Sequence, residues 1–305
     1  MRSILTLLIL TLATPALASD GVLEINHTCA VQTGCFPGDG TGYPVTISGQ
    51  AGGSYVLTSN LIVPDVNTDG IQFNTSDIGI DLNGFAIIGA DCVGATTNCT
   101  PTSGIGSGVA RTSGLNRGVS VKNGSVTGMG RYGVFIGDHA HITNVSVRWN
   151  RLDGINASSG GVISGNTSYQ NGRRGINVFE GATVSGNTVY ENGDVGITAS
   201  AGSTVSGNTA RMNGGTGIVS SNGSTISGNT SSENEGSGIT ATDGCAVIGN
   251  TVRGNAQFGL TLDIVSIDTV YRDNVVTNNE GSLSIQVLGG INMGGNSCNG
   301  TTTCP

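Results

Sequence analysis

The sequence is short of charge, of aromatic rings and of helical periodicity. Only 10% of its 305 residues are charged and 4% are aromatic, and the formal net charge is −8. We therefore expect no nucleic-acid partner, because a basic face supplies most of the affinity for nucleic acid. No stretch keeps a 3.6-residue apolar period, which argues against a helical fold. The 52 glycines lack a G-X-Y period, which excludes collagen.

Long hydrophobic runs are also missing, apart from a short one at the N-terminus. Arg2 precedes an apolar run at residues 4–13, and Ala16-Leu17-Ala18 is an A-x-A cleavage pattern. We predict that residues 1–18 are a cleavable signal peptide and that the protein is secreted or periplasmic. The run is too short to cross a bilayer and no second one follows, so we expect no membrane span.

The spacing CxxC is absent, so a zinc knuckle is not expected. Six of the seven cysteines fall in close pairs, which predicts three local disulfides: Cys29–Cys35, Cys92–Cys99 and Cys298–Cys304. This cysteine usage is typical of an oxidising compartment. Cys245 is left over. We expect it to be a buried, inert thiol, because it shares a column with small residues and no His recurs near it.

A 21-residue repeat dominates what is present. The triplet Gly-Asn-Thr recurs at this interval, with its amide at Asn166, Asn187, Asn208, Asn229 and Asn250. Apolar and polar residues alternate within each repeat, which is typical of strands. A unit this short buries its apolar side only by stacking on copies of itself, about 4.8 Å apart. Because parallel crossovers are right-handed, the repeat predicts an all-β, single-stranded, right-handed parallel β-helix.

The units "VSGNT…ENG…GI" between about residues 118 and 285 resemble the right-handed parallel β-helix proteins of the pectin-lyase-like superfold, as does "IGIDLNGFAIIGA" at 78–90. The resemblance implies the fold and leaves the function open, since this superfold includes lyases, hydrolases, epimerases and non-catalytic proteins.

The spacing of Asn residues predicts how the chain is divided. A count that includes Asn83, Asn123 and Asn144 gives about nine coils over residues 70–285. Residues 19–69 are predicted to form an N-terminal cap with the first strands, and residues 286–305 a C-terminal cap with a disulfide loop. The 40-residue gap between Asn83 and Asn123 predicts a disulfide-pinned loop, and the 24-residue gap between Asn250 and Asn274 predicts a bulge near residues 262–268.

We interpret the repeated Asn as structural. A corner amide both donates and accepts, so stacked amides bond to one another and satisfy buried backbone groups. A second column has the same spacing: Asn150, Asn171, Asn192, Asn213, Asn234 and Asn255. A repeated metal array is the alternative, but neutral amides are weak ligands and no Asp-containing nonapeptide occurs. No cofactor is predicted, and Ca²⁺ is left open.

One outward column reads Arg148, Tyr169, Tyr190, Arg211, Ser232 and Arg253. Tyr offers a flat surface to sugar rings, and Arg pairs with carboxylates. Arg148, Tyr169, Tyr190 and Arg211 are therefore candidate substrate-binding residues for an acidic oligosaccharide lying along the axis. The alternative is that these long side chains only cover the sheet.

The segment "GDHAHITNVSVRWN" breaks the repeat and contains His139, His141 and Trp149, the only Trp. Local breaks of a rule often mark functional sites, and His is the usual general base near neutral pH. His139 and Trp149 are candidate substrate-binding residues and His141 a candidate catalytic residue; an irregular early coil is the alternative. Asp153 and Arg174, on successive coils, are expected to form a surface ion pair.

Signatures of particular enzyme families are missing. Of the three polygalacturonase-like motifs only Asn67-Thr68-Asp69 occurs, and the Asp-Pro-His-Glu motif of mannuronan epimerases is absent. We predict a monomeric protein that binds an acidic polysaccharide, and we leave open whether it also cleaves it as a lyase or hydrolase. In that case His141 or Tyr190 would be the base and Arg148 or Arg211 would neutralise the carboxylate. The alternative is a non-catalytic structural or adhesion protein.

Overall fold

The computed structural model describes residues 21–49, 52–112, 114, 116–265, 268–280, 286–299 and 304. The predicted signal peptide lies outside these residues. Within them the chain consists almost entirely of short strands, with one α-helix, His27–Gln32, and one 3₁₀ turn, Ala90–Cys92. In those ranges, neither helical segment has the length or apolarity that a membrane span requires.

Each turn of the chain contributes strands to three parallel sheets. In one turn, Thr183–Ser185 lies in sheet 1, Thr188–Tyr190 in sheet 2 and Ile197–Ala199 in sheet 3. The next turn repeats this order 21 residues later and pairs in parallel with it, for example Val184 with Val205. The turns coil in the right-handed sense. The predicted all-β right-handed parallel β-helix is confirmed.

The strands can be given sheet by sheet. Sheet 1 contains Val22–Ile25, Ser54–Leu57, Gly79–Asp81, Ser120–Thr127, His141–Arg148, Val162–Ser164, Thr183–Ser185, Thr204–Ser206, Thr225–Ser227, Ala246–Ile248, Val270–Arg272 and Ile291–Asn292. Sheet 2 contains Leu61–Ile62, Ala86–Ile88, the second halves of Ser120–Thr127 and His141–Arg148, then Thr167–Tyr169, Thr188–Tyr190, Thr209–Arg211, Thr230–Ser232, Thr251–Arg253, Val275–Thr277 and Ser297–Cys298. Sheet 3 contains Val45–Ile47, Ile71–Phe73, Val109–Arg111, Val134–Ile136, Ile155–Ala157, Ile176–Val178, Ile197–Ala199, Ile218–Ser220, Ile239–Ala241, Leu260–Leu262 and Val287–Leu288.

The number of turns exceeds the predicted number. Sheet 3 has eleven strands among the described residues, one for each turn, whereas counting Asn residues gave about nine. The count left out the first turn and the last turn, although Val45–Ile47 and Val287–Leu288 pair normally and Asn296 continues the ladder in the last turn. Strand pairing therefore extends beyond the visible repeat.

The core is a column of apolar side chains along the axis. The middle residue of each three-residue strand of sheet 1 points inward, as Val184 and Val205 do, and both are fully buried. In sheet 3 the first and third residues, such as Ile197 and Ala199, are buried instead. Alternation along each strand sets which residues face inward, and stacking removes their apolar surface from water.

The Asn ladder predicted between sheets 1 and 2 is present. The backbone N–H and the Nδ2 of Asn187 both donate to Oδ1 of Asn208, each at 2.9 Å. Nδ2 also donates to the carbonyl oxygen of Ile163 at 2.9 Å. Equivalent side-chain bonds run from Asn166, Asn208, Asn229, Asn250 and Asn274 to the next amide. Buried polar groups at this corner are thus satisfied, as required in a protein interior.

A second ladder follows sheet 2 and has its own terminus. It runs from Asn150 to Asn279 at the same corner of successive turns. The last amide, Asn279, donates from N and Nδ2 to Oε1 of Gln286, at 3.0 and 2.9 Å. Gln286 is not in the Asn column of the sequence, but its longer side chain reaches the ladder and closes it.

Three of the Asn residues counted as ladder members have a different role. Asn83, Asn123 and Asn144 have φ of 49°, 58° and 56°, the left-handed region. Pairing aligns Asn144 with Gly165, which also has positive φ, and puts Val145 at the ladder position. These Asn residues take the place of a corner Gly because Asn tolerates this conformation. For the same reason Asn144 lies 22 residues before Asn166 and not 21, one position outside the ladder column.

The repeated Gly before each sheet 3 strand is required by close packing. A Cβ on Gly196 would lie 2.6 Å from the carbonyl oxygen of Gly217 and 2.8 Å from Nδ2 of Asn213. Both are closer than real Cβ contacts allow. The repeated Gly before sheet 3 is therefore explained by the close approach of one turn to the next and to the second ladder.

The three predicted disulfides are confirmed: Cys29–Cys35, Cys92–Cys99 and Cys298–Cys304. Cys245 is a free, fully buried cysteine, also as predicted. Burial raises the pKa of its thiol, which keeps it protonated and unreactive.

Two long connections flank sheet 3 at the third turn. Residues 89–108 connect sheet 2 to the strand Val109–Arg111 and contain the Cys92–Cys99 disulfide. Residues 112–119 lead from that strand to sheet 1. In the regular turns the first of these connections is as short as residues 191–196. The predicted disulfide-pinned loop thus lies at one edge of the sheet 3 face.

Candidate functional site

The outward column of sheet 2 brings four predicted site residues together. Arg148, Tyr169, Tyr190 and Arg211 lie opposite one another on consecutive strands. Tyr169 and Tyr190 have ring centroids 4.8 Å apart and planes only 8° from parallel. Arg148 donates from Nη1 to the Tyr169 hydroxyl at 2.9 Å, and the Arg211 guanidinium lies 4.9 Å from the Tyr190 ring centroid. We name these four residues the Arg–Tyr stack.

The rings of the Arg–Tyr stack do not form a flat outward platform. Because the rings stack along the axis at one-strand spacing, their faces cover each other and the flanking guanidinium groups. The outer surface therefore presents phenol edges, hydroxyls and N–H groups. This arrangement suits directional hydrogen bonding to a polar ligand better than stacking on a sugar ring, for which the faces were considered from the sequence.

The electrostatics of Tyr190 favour its neutral form. Burial, then Tyr169 and Glu191, raise the pKa of this phenol above its usual value of 10.0, against the opposing effect of Arg211 and Arg148. A general base works best with a pKa near the operating pH. Tyr190 is consequently a hydrogen-bond donor near neutral pH and is poorly suited to act as a base.

Trp149 packs against Arg148, at one end of the Arg–Tyr stack. It is only 6% exposed, has φ of 53°, and donates from Nε1 to Oε1 of Gln170 at 2.8 Å. Its ring lies 4.2 Å from the guanidinium carbon of Arg148. Trp149, predicted as a substrate-binding residue, thus has little surface for a ligand and instead positions Arg148.

The two histidines lie on another face. His141 is exposed on sheet 1 and pairs with Ser120 and Val162. His139 has φ of 52°, and its ring occupies the space beside Gly160. Tyr190 and Arg211 are on sheet 2, two and three turns further along. The structure therefore does not bring His141 together with the other two candidate catalytic residues.

A second basic and aromatic cluster lies on and beside sheet 3, and sequence reasoning missed it. Arg111 lies 4.8 Å from the ring centroid of Phe135, and Arg131 lies 4.8 Å from that of Tyr132. The two rings are 5.2 Å apart. Phe135 occupies the outward column that holds Asn156 and Asn177 in later turns. A break in that column was the available signal.

The predicted surface ion pair between Asp153 and Arg174 is wrong. Asp153 is fully buried, and its carboxylate accepts from the Arg174 backbone N–H at 3.2 Å and from Nδ2 of Asn156 at 3.0 Å. The Arg174 side chain points elsewhere, to Asn177 at 3.0 Å and Asp194 at 3.9 Å. The Asp153 carboxylate therefore accepts a hydrogen bond from a backbone N–H group at the corner before sheet 3.

Comparison with known proteins agrees with this architecture. Residues 103–256 match the family model described as right handed beta helix region. The chain belongs to this right-handed β-helix family. No curated protein matches it.

Solved structures of similar fold include enzymes and a phage protein. The A-module of mannuronan C-5 epimerase AlgE4 from Azotobacter vinelandii has a TM-score of 0.62 and 17% identity, covering 91% of this chain and 84% of its own. Pectate lyase Pel9A has a TM-score of 0.64 and 16% identity, covering 89% and 76%. Dettilon tailspike protein has a TM-score of 0.55 and 15% identity, covering 82% and 60%. At these identities the likeness shows the fold alone.

Seven of the ten arginines among the described residues fall into two groups. Three of them pair with carboxylates: Arg174 with Asp194, Arg253 with Glu233, and Arg272 with Asp273. Arg111, Arg131, Arg148 and Arg211 each contact an aromatic ring instead, and no carboxylate of the described residues lies within 4.0 Å of them. The described residues contain no group of three or more His, Cys, Asp or Glu side chains suited to a metal ion.

Proposed function

We propose that this β-helix protein binds an anionic polysaccharide along sheet 2, with the Arg–Tyr stack as the central contact. The observation that carries the proposal is the set of four aromatic-supported arginines without carboxylate partners. The chain has 20 acidic and only 12 basic residues, so unpaired guanidinium groups stand out against an acidic background.

The chemistry of the stack fits carboxylate groups on a sugar chain. A guanidinium bonds a carboxylate in bidentate fashion, and the contact with an aromatic ring fixes its orientation beforehand. Arg148 and Arg211 are three strands apart, about 14 Å along the axis, with two phenol hydroxyls between them. A polysaccharide lying along the axis would thus meet charge at both ends and neutral donors in the middle.

The arginines on sheet 3 extend this surface. Arg131 lies at the corner between sheets 2 and 3, one turn before Arg148, and Arg111 lies beside it across Phe135. The names of two structural neighbours, a mannuronan epimerase and a pectate lyase, identify proteins that act on polysaccharides, which supports the substrate class.

The proposal is one of binding. A lyase or hydrolase reaction through His141, Tyr190 and Arg211 would require a base beside the stack, whereas His141 lies on sheet 1 and Tyr190 keeps its proton. We further propose that the protein acts as a secreted or periplasmic monomer, which agrees with its three disulfides.

The test is electrophoresis of the full-length protein in gels containing polygalacturonate, alginate or neutral dextran. We expect retardation by the two uronate polymers, which weakens at high salt. The double variant Arg148→Ala/Arg211→Ala should weaken retention by about tenfold or more, since a charged hydrogen bond contributes roughly 1.5–3 kcal/mol.

The matched control is Arg117→Ala/Arg272→Ala, which removes the same charge from arginines that lie outside sheet 2. It should retain binding. Equal losses in both variants would show general charge attraction and overturn the site, and no retention of the wild type would overturn the function. Reducing ends or unsaturated products in the same incubations would show that binding is accompanied by cleavage.

A further inference from the structure

A cleft lies far from the Arg–Tyr stack, on the outer face of sheet 1 in the first four turns. Its volume is about 510 Å³, within the range of small-molecule sites. Its lining combines two carboxylates, one ammonium, two serine hydroxyls, a tyrosine, a glycine and two valines: Val22, Glu24, Ser54, Tyr55, Val56, Gly79, Asp81, Ser120 and Lys122. We name it the sheet 1 cleft.

Small outward residues in register create this concavity. Val22, Ser54, Gly79 and Ser120 lie opposite one another on four consecutive strands. Gly79 has no side chain, so the floor of the cleft is backbone. Three of the regular turns carry Thr in the same outward column, at Thr183, Thr204 and Thr225. A branched side chain thus stands there at the position where Gly79 has none.

The charged groups stand in the neighbouring column. Glu24, Val56, Asp81 and Lys122 are also in register. The Asp81 carboxylate is held at 3.4 Å from Lys122 Nζ and accepts from Nδ2 of Asn123 at 3.2 Å and from the Asn83 backbone N–H at 2.8 Å. Glu24 lies two strands, about 10 Å, from Asp81. The cleft therefore presents an acceptor, Glu24, at one end and a donor, Lys122, at the other, with the second acceptor, Asp81, beside the donor.

We infer that the sheet 1 cleft binds a neutral sugar unit, a mono- or disaccharide or the equivalent part of a glycan. Hydroxyl groups donate to Glu24 and Asp81 and accept from Lys122 and the serines, while the C–H faces of the sugar contact Val22 and Val56. Such a mixture of a few placed polar groups with apolar walls is typical of small-ligand sites.

Other ligand classes fit this lining less well. An anion would meet two carboxylates against one ammonium. A divalent cation needs oxygens at about 2.3–2.6 Å, which carboxylates two strands apart do not supply together, and Lys122 already neutralises Asp81. An apolar ligand would leave the charged groups without hydrogen bonds. This inference is independent of the anionic surface proposed above.

The experiment is saturation-transfer NMR on the full-length protein with glucose, galactose, mannose, maltose and cellobiose, and with glucuronate and glucosamine as charged comparators. At least one neutral sugar should show transfer, and the charged comparators should show less. Silence from all neutral sugars, or a preference for glucuronate or glucosamine, would overturn the inference.

The decisive variant is Gly79→Thr, which places at the floor the residue that regular turns carry in this column. A Cβ on Gly79 would make only an ordinary contact, 3.4 Å from Ser120 Oγ, so the fold has room for it. Binding of the neutral sugar should fall by about tenfold or more with no loss of thermal stability. Unchanged binding would exclude the cleft.

A crossed comparison separates this site from the anionic surface. Gly79→Thr should keep full retention by polygalacturonate, and Arg148→Ala/Arg211→Ala should keep the neutral-sugar signal. Thr183→Gly, the reverse change in a regular turn, is the control and should leave both signals unaltered. Loss of the neutral-sugar signal in the arginine variant would show that the two ligands share one site and contradict the assignment to sheet 1.

Discussion

The turns of residues 162–255 and those of residues 22–148 follow the same path through three sheets. They differ in the side chains that stabilise the corner between sheets 1 and 2. In the regular turns every corner between sheets 1 and 2 has a buried Asn, and each amide bonds to the next. In the early turns Val145 and Gly124 occupy that position, and the left-handed corner is an Asn instead of Gly. Strand pairing is continuous through both.

The comparison of the two regions shows which features every turn of the β-helix needs and which features differ between turns. Stacking requires parallel pairing and an apolar interior, and both regions have these. The Asn ladder is present only from Asn166 onward, whereas the Gly before sheet 3 is crowded by the next turn in both regions, as at Gly108 and Gly196. The early turns lack this regularity and contain the long connections, the sheet 1 cleft and the cluster around Phe135. The Arg–Tyr stack lies mainly on the regular turns because its outward column is free of those requirements.

Breaking the ladder should have the largest effect. Asn208→Ala removes the acceptor of the Asn187 backbone N–H and the side-chain donor to the Val184 carbonyl and to Asn229 Oδ1, all in the interior. Buried unsatisfied groups cost roughly 1–3 kcal/mol each, so we expect the free energy of unfolding to fall by about 3 kcal/mol. Denaturant unfolding measures it. Asn144→Gly, at an early corner outside the ladder, should change it by less than about 1 kcal/mol, because Gly also adopts this left-handed conformation; equal effects would contradict the distinction.

Crowding one turn against the next should have the second-largest effect. Gly196→Ala puts a Cβ against the carbonyl of Gly217, and we expect a loss of about 2 kcal/mol from overpacking. Gly202→Ala is the matched change at an open position with φ of 68° and should cost only about 1 kcal/mol from backbone strain. Thermal unfolding of both variants tests this prediction, which fails unless Gly196→Ala loses more stability than Gly202→Ala.

The early turns should respond more to alkaline pH through Tyr43. Burial is the main cause that raises the pKa of Tyr43 to about 12, against a smaller opposing effect of a backbone hydrogen bond at Ile62. The unfolded phenol ionises near 10, so this stabilisation is complete below pH 10 and is lost as the pH rises to about 12. Unfolding midpoints between pH 9 and 12 should fall less steeply for Tyr43→Phe than for the wild type; parallel curves would exclude this role.

Relieving a strained corner of the regular turns should have the smallest effect. Glu233 has φ of 57° at a corner where the next turn has Gly254. Glu233→Gly should raise the free energy of unfolding by up to about 1 kcal/mol, and the unfolding midpoint with it, because Gly adopts this conformation freely. Its weak pairing with Arg253, at 4.0 Å and largely exposed, is a small loss. A clear destabilisation would show that the side chain matters more than the backbone.

The repeat was enough to predict the fold and much of its support, because Asn187 and Val184 recur at one spacing and each contacts mainly its own copy. Prediction was less successful where neighbours differ. Asn144 was counted as a ladder residue because its offset from the ladder column of Asn166 is a single position, and Asp153 was placed at the surface although it is buried. Tyr169 and Tyr190 were correctly aligned, but their mutual stacking, which turns their faces away from a ligand, depends on the orientation of both rings.

Periodicity establishes the strands, the parallel stacking, the Asn corners and the close cysteine pairs, because each depends on residues near in sequence or on identical neighbours one turn away. The sheet 1 cleft, the cluster of Arg111, Arg131 and Phe135, and the separation of His141 from Tyr190 depend on something else. They follow from how turns of unequal length align with one another. That alignment is set by the packing of the whole stack, and no single repeat contains it.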